Sequence, residues 1–381
     1  MRTRVVAGAT VGTVAVVVVA ALVTVVVPLV GSSDAVTTDS RTAARPVELA
    51  PGPLPASITR RWTAATSGAQ PSTAPAAGGT VVVGGGDRVA GLDAGTGREI
   101  WSYTRDNARL CGWTLRDGVV VALFAKSHGC RQVVGLAAGT GARRWYRTLE
   151  IPGEAVLSSG PGVAVATTST GQLAAMDTAT GLNRWVHRGP AGCTLDPAVA
   201  GRVAVVAVAH CTDGSVKLVG HDTYADKSSW IVPLPAGSAP VVLGGDESAA
   251  VLVGTTLTTY DAKGKVLVSL TDPRLARAGS ALPAAVPSGT TLVVWTGAAA
   301  TAVDVRTRAV LWSAPAIAPP ALDDDQIVLA TGRTVTSVRV EGGAVAARTR
   351  VTGEPLPAGA TLARVGALLV ASARGAVAAY G

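Results

Sequence analysis

From residue 58 onward the chain is a succession of short runs of Val, Ala and Leu, each cut off by Gly, Asp, Asn, Ser or Pro. Apolar runs of about 4–8 residues bounded by such turn residues read as strands, and nothing in this part keeps a helical period. The clearest unit covers residues 111–149. Residues 111–116 predict a strand, Asp117-Gly118 a turn and 119–125 a second strand; after a polar hairpin, 132–138 predict a third strand and 143–149 a fourth. Residues 5–30 break the pattern, because they are apolar throughout and carry no charge. A bilayer core takes about 20 such residues, so this segment predicts one membrane-spanning helix.

The fourth strand of each unit closes a recurring phrase. It reads Leu-Asp93-Ala-Gly-Thr96-Gly97-Arg-Glu-Ile-Trp101, then Ala137-Ala-Gly-Thr140-Gly141-Ala-Arg-Arg-Trp145, then Asp177-Thr-Ala-Thr180-Gly181-Leu-Asn-Arg-Trp185. Weaker copies run from Asp222 to Trp230 and from Asp304 to Trp312, and in all five the first residue lies eight before the Trp. Self-similarity at a period near 40 residues predicts a repeat architecture. The Asp is placed to accept hydrogen bonds from the amides of the following turn, and the Gly to supply a positive φ. The Trp is placed to wedge against the next unit, burying on the order of 200 Å². These acidic residues are therefore expected to be structural and not catalytic.

Degenerate copies put Val268 after Tyr260-Asp261-Ala-Lys-Gly264 and Ala347 after Arg339-Val-Glu-Gly-Gly343. The last unit stops at Gly381 before its fourth strand, while Thr59-Arg-Arg-Trp62 near the start carries a Trp without a unit. Pairing these two ends closes a ring and removes an exposed sheet edge. The expected fold is all-β, an eight-bladed β-propeller over 58–381 preceded by one transmembrane helix, with seven blades as the alternative because the last repeats are worn.

The phrase Ala/Leu-x-Asp-x-x-Thr-Gly-x-x-x-Trp resembles the repeat of the pyrroloquinoline-quinone (PQQ) propeller superfamily, across roughly residues 58–381. The resemblance implies eight blades. It covers two kinds of protein, quinone-dependent dehydrogenases and non-catalytic propellers of outer-membrane assembly. The dehydrogenases carry an adjacent Cys-Cys pair, calcium-binding carboxylates and a catalytic Asp in insertions over the channel. This chain has no adjacent cysteines, and about 40 residues per blade leaves little room for insertions. Its acidic run, Asp323-Asp324-Asp325, points consecutive side chains apart and reads as a solvated turn rather than a calcium site. The expectation is a PQQ-like propeller closer to the assembly type, without cofactor; bound PQQ is the alternative.

Composition adds an address. Arg2 and Arg4 precede the apolar segment and Asp34 is the first charge after it, which orients the N-terminus to the cytoplasm and the bulk outside. A cleaved signal peptide is the competing reading, but its apolar region is usually about 7–15 residues and no Ala-x-Ala site follows. The expected domains are an anchor at 1–31, a Pro/Ser/Thr/Ala-rich linker at 32–57 serving as a tether, and the propeller at 58–381. The net charge of +8 comes from scattered Arg and Lys with no long basic run, which argues against nucleic acid.

Four cysteines in an extracytoplasmic chain predict two disulfides. Cys111 with Cys130 and Cys193 with Cys211 occupy the same places in their units, at the two ends that antiparallel pairing brings together. His128 and His210 sit near the second Cys of each pair, but the pairs lie in non-neighbouring units, so no metal is expected. Arg105, Asp106, Arg109, Lys126, His128, Arg131, His187, Arg188 and Arg274 all map to the face of the longer, variable loops, where binding residues tend to concentrate. They point to an anionic ligand or a cell-envelope protein as partner. The functional expectation is a membrane-anchored, extracytoplasmic scaffold that binds a protein or ligand. The alternatives are a PQQ-dependent oxidoreductase and the sensor subunit of a signalling system.

Overall fold

The computed structural model describes residues 37–67, 75–126, 129–226 and 229–381. These residues form seven hydrogen-bonded sheets. In chain order the first runs from Ala76–Ala77 to Glu99–Arg105, the second from Arg109–Arg116 to Arg143–Thr148, and the third from Ala155–Gly160 to Asn183–Arg188. The fourth runs from Cys193–Leu195 to Ser229–Leu234, the fifth from Val241–Gly244 to Val266–Thr271, and the sixth from Ala284–Ser288 to Ala309–Pro315. The seventh has eight strands in two halves: Ala321–Asp323 to Val345–Thr352, and Thr361–Val365 to Ala376–Tyr380 with Ser57–Ala65 added. Successive strands of a sheet are antiparallel, while the join between the halves of the seventh, Ser57–Ala65 beside Val345–Thr352, is parallel. Asp117 and Gly118, with φ of 51° and 70°, turn the chain in a two-residue hairpin between the strands Arg109–Arg116 and Val119–Lys126.

The expected closure is present. Trp62 pairs with Ala379 and Thr63 with Ala378, so the strand near the start completes the sheet that the end of the chain leaves open. Hydrophobic clusters lie between neighbouring sheets, or between the two halves of the seventh. Val82 and Val89 of the first sheet pack with Val120 and Phe124 of the second; Val163 of the third packs with Val205 of the fourth. The succession returns on itself, because Val370 and Ala379 of the last half pack with Val81 and Leu92 of the first sheet. Sheets packed face to face around a closed circuit are a β-propeller.

The expected membrane segment, residues 1–31, lies outside the described residues, among which no helix is long and apolar enough to cross a membrane. Residues 39–56, from the stretch expected to be a tether, pack along the propeller. Ala43 donates its N–H to the Thr140 carbonyl at 2.9 Å, and Val47 accepts from Gly79 at 3.2 Å. Leu49 and Leu54 sit against two of the inter-sheet clusters. The Pro- and Ser-rich composition hid these spaced apolar residues.

The repeat phrase acts as a latch between sheets. Asp93 Oδ1 accepts from the amides of Gly95 and Thr96 at 2.8 and 3.1 Å, and Asp177, Asp222 and Asp304 hold the same pair of amides in their turns. The residue before each Trp is a β-bulge in most copies; Ile100 is the unpaired residue between Glu99 and Trp101. The bulge sends the indole into the next sheet, where its Nε1 donates to a backbone carbonyl. Trp62 reaches Ala94, Trp101 reaches Ala138, Trp145 reaches Thr178, Trp185 reaches Asp222 and Trp312 reaches Val340, at 2.8–3.0 Å. For Trp62, Trp101, Trp145 and Trp312 the ring lies on the turn glycine of that next sheet. A Cβ at Gly141, where φ is 70°, would come within 2.7 Å of the Trp101 ring.

Candidate functional site

The basic residues expected to form a binding face do not make one patch. Arg105 is 2% exposed and caged by the rings of Tyr103, Phe124 and Tyr146. Its guanidinium donates to the Tyr103 hydroxyl and the Gln132 side-chain oxygen, so it belongs to the interior and is removed from any surface role. Arg109 is paired with Glu154 at 2.6 Å, and with Lys126 and Asp87 it lines a hollow of about 710 Å³. Arg131 donates to the Leu149 carbonyl and to Glu150. Arg188 donates to the Gln172 side-chain oxygen at 3.1 and 3.2 Å. Arg274 is held by both oxygens of Asp272, which keeps that carboxyl below the usual carboxylate range. His128 lies outside the described residues. These groups spread over the first, second and third sheets and the connection from fifth to sixth, and most are already matched by a carboxylate or a carbonyl.

Both expected disulfides form, Cys111–Cys130 and Cys193–Cys211. Glu154 approaches the first, but sulfurs bonded to each other are not metal ligands. In the acidic run, Asp323 pairs with Arg364 while Asp324 takes φ 54° at the hairpin. Burial raises the Asp323 pKa, with Arg364 opposing.

Two histidines form an aromatic stack between the third and fourth sheets. The rings of His187 and His221 are parallel, 4.4 Å apart, and both lie against Trp185. His187 Nε2 is 3.3 Å from Asp226. His221 is 3% exposed with neither nitrogen partnered, and burial, then the charge of His187, pushes its pKa down to about 4.

The feature with the shape of a site lies elsewhere, between the fifth and sixth sheets. There the latch is absent, because Val268 stands where most copies carry Trp. A cleft of about 510 Å³ opens at that point, lined by Ser248, Thr259, Leu267, Val268, Val305 and Arg308 among others. Thr259 pairs across the strand with Val268, in the place held by Gly91 opposite Trp101. It is 1% exposed and its hydroxyl has no partner. Leu267 is the bulged residue and is 48% exposed at the mouth.

Arg308 stands four residues after Asp304, where Gly97 stands after Asp93, and keeps the left-handed φ of that position at 61°. A side chain fits there because no ring from the preceding sheet covers the turn. The sequence held a signal for this cleft in the paired loss of Trp at 268 and Gly at 308. In the repeat phrase alone, Val268 marks only a degenerate copy.

Comparison with known proteins follows the fold. A family model described as outer membrane protein assembly factor BamB matches residues 55–185 and 130–273, together more than half of the chain. No curated protein matches the sequence. Among solved structures, BamB from Moraxella catarrhalis is similar with a TM-score of 0.53 at 18% identity, over 85% of this chain and 99% of its own. The computationally designed protein Ika8 is similar with a TM-score of 0.57 at 17% identity, over 83% of this chain and 98% of its own. At these identities the likeness is one of fold.

Proposed function

The chain belongs to the outer membrane protein assembly factor BamB family, and from that premise we propose that it is a non-catalytic, protein-binding propeller of the bacterial cell envelope. In this reading the ring has eight blades, the seventh sheet counting as two. Residues 5–30 anchor it in the cytoplasmic membrane with the N-terminus inside and the propeller outside. Support for the count comes from the two four-stranded halves of that sheet, and support for the anchor from the uncharged run between Arg4 and Asp34.

The observation that carries the scaffold reading is where the polar side chains are spent. The repeat carboxylates hold turn amides, and Arg109, Arg131 and Arg274 are held by neighbouring carboxylates. Charges so matched are poor at capturing a small anion, and turn-bound carboxylates are poor at moving protons. What remains is a rigid ring that presents surfaces.

The test is photo-crosslinking of the full-length protein in cells, with a parallel titration of the purified protein with PQQ and calcium. The reading expects a specific envelope protein in the crosslinks and no quinone absorbance. Saturable one-to-one quinone binding would replace it with the oxidoreductase.

A further inference from the structure

We infer that the cleft between the fifth and sixth sheets is a docking slot for a tryptophan side chain presented by a partner protein. The inference rests on the scaffold reading, since it needs a partner. Its argument comes from the other junctions of the same ring. At five of them an indole from one sheet fills the corresponding space and donates to a carbonyl of the next. In four of these the acceptor is the residue just after the one that opens the turn: Ala94, Ala138, Thr178 and Val340. In the sixth sheet that residue is Val305, and it lines the cleft. The slot thus keeps the acceptor end of the latch and lacks the ring.

A second junction also lacks its Trp, at Ala347, and there the chain itself supplies the filling. Ser57, Ile58 and Thr59 pair in parallel with Arg350, Val351 and Thr352, and Arg350 donates to the Ala56 carbonyl at 2.9 Å. No such strand enters beside Val268 among the described residues. The buried Thr259 hydroxyl adds a hydrogen-bonding atom without a partner inside the slot, which a dry apolar occupant would leave unmet. The exposed Leu267 gives the mouth an apolar lip.

The occupant is a second molecule of different sequence. All eight tryptophans of the chain lie in the described residues and are buried or half-buried, so neither this chain nor a second copy has a free indole to offer. The undescribed segments contain no Trp, Tyr or Phe. An indole is the side chain that fills the corresponding space at the other junctions, and it carries the N–H that the Val305 carbonyl and the Thr259 hydroxyl can accept. Aromatic anchors seated in a desolvated pocket are a common way for one protein to hold another.

The test uses the full-length protein and N-acetyl-tryptophanamide as probe, with N-acetyl-leucinamide for comparison, read by calorimetry and ligand-observed NMR. Expected is saturable one-to-one binding of the indole amide, about tenfold tighter than the leucine amide. Thr259→Val, which keeps the shape and removes the hydroxyl, weakens it about fivefold. The triple change Thr259→Ala, Val268→Trp and Arg308→Gly rebuilds the set seen at Ala302, Trp312 and Gly343; it abolishes binding and raises the melting temperature. Absence of saturable binding to the wild type, or binding that survives in the rebuilt variant, overturns the inference. Envelope crosslinks that persist unchanged in the rebuilt variant overturn it too, while leaving the scaffold reading in place.

Discussion

The indole N–H of Trp101 donates to the carbonyl of Ala138 at 2.8 Å, from the outer strand of one sheet to the turn of the next. The bond is fully buried and joins two sheets that share no backbone ladder. Replacing Trp101 by Phe removes part of the ring and leaves a buried acceptor unmet, a loss of about 3 kcal/mol. Trp230 fills the same place at its own junction, yet its Nε1 has no acceptor. Trp230→Phe therefore loses packing alone and costs about 1 kcal/mol less. Denaturant unfolding of both variants measures the difference, and equal losses would show that the interface does not depend on the hydrogen bond.

Gly141 and Arg308 occupy equivalent turn positions with opposite surroundings. Gly141→Ala puts a methyl into the Trp101 ring and an L-residue at φ 70°, for a cost above about 2 kcal/mol. Arg308→Gly relieves φ 61° where no ring is near, and gains back part of that strain against the added freedom of the unfolded chain, a change within about 1 kcal/mol of zero. Melting temperatures should fall sharply for the first and stay close to wild type for the second. The reverse order would mean that ring contact does not select the glycine.

The architecture was legible because its causes are local. Asp93 bonds two amides within three residues of itself, and Trp101 announces the outer strand wherever it recurs. Even the ring closure could be read, since a Trp without a unit and a unit without a Trp imply each other. Arg105 was misread because its neighbours are distant in sequence: Gln132 and Tyr146 cage it only once two sheets have packed. The packing of Val47 and Leu49 was hidden in the same way by Pro-rich surroundings. The cleft at Val268 was written in the sequence as an absence, and an absence gains meaning only when the other junctions show what should fill it.

The disulfides close loops of similar length in different sheets, with separations of 19 and 18 residues. Cys111→Ser with Cys130→Ser, or Cys193→Ser with Cys211→Ser, should each cost about 3 kcal/mol, chiefly by freeing the unfolded chain. Because the second and fourth sheets are not neighbours, the two losses should add to within about 0.5 kcal/mol. Unfolding curves of the wild type with and without reductant, beside the two double variants and the quadruple, provide the sum. A strongly non-additive result would reveal a shared unfolding unit across the intervening third sheet.

His221 makes stability depend on pH in a set direction. Its pKa is held down to about 4 in the folded chain against 6.5 for the free side chain, first by burial and then by His187. Between those values the unfolded chain binds a proton that the folded chain refuses. Stability is therefore full above pH 6.5 and is lost as pH falls toward 4, at about 1.4 kcal/mol per pH unit. Asp226 meets the stack at His187 and leaves both nitrogens of His221 unpaired. His221→Phe keeps a flat ring against Trp185 and removes the titration. Between pH 6.5 and 5 the wild type should lose about 2 kcal/mol more than this variant in denaturant unfolding. Parallel pH profiles would mean that the fourth sheet opens enough to let the imidazole take its proton while folded.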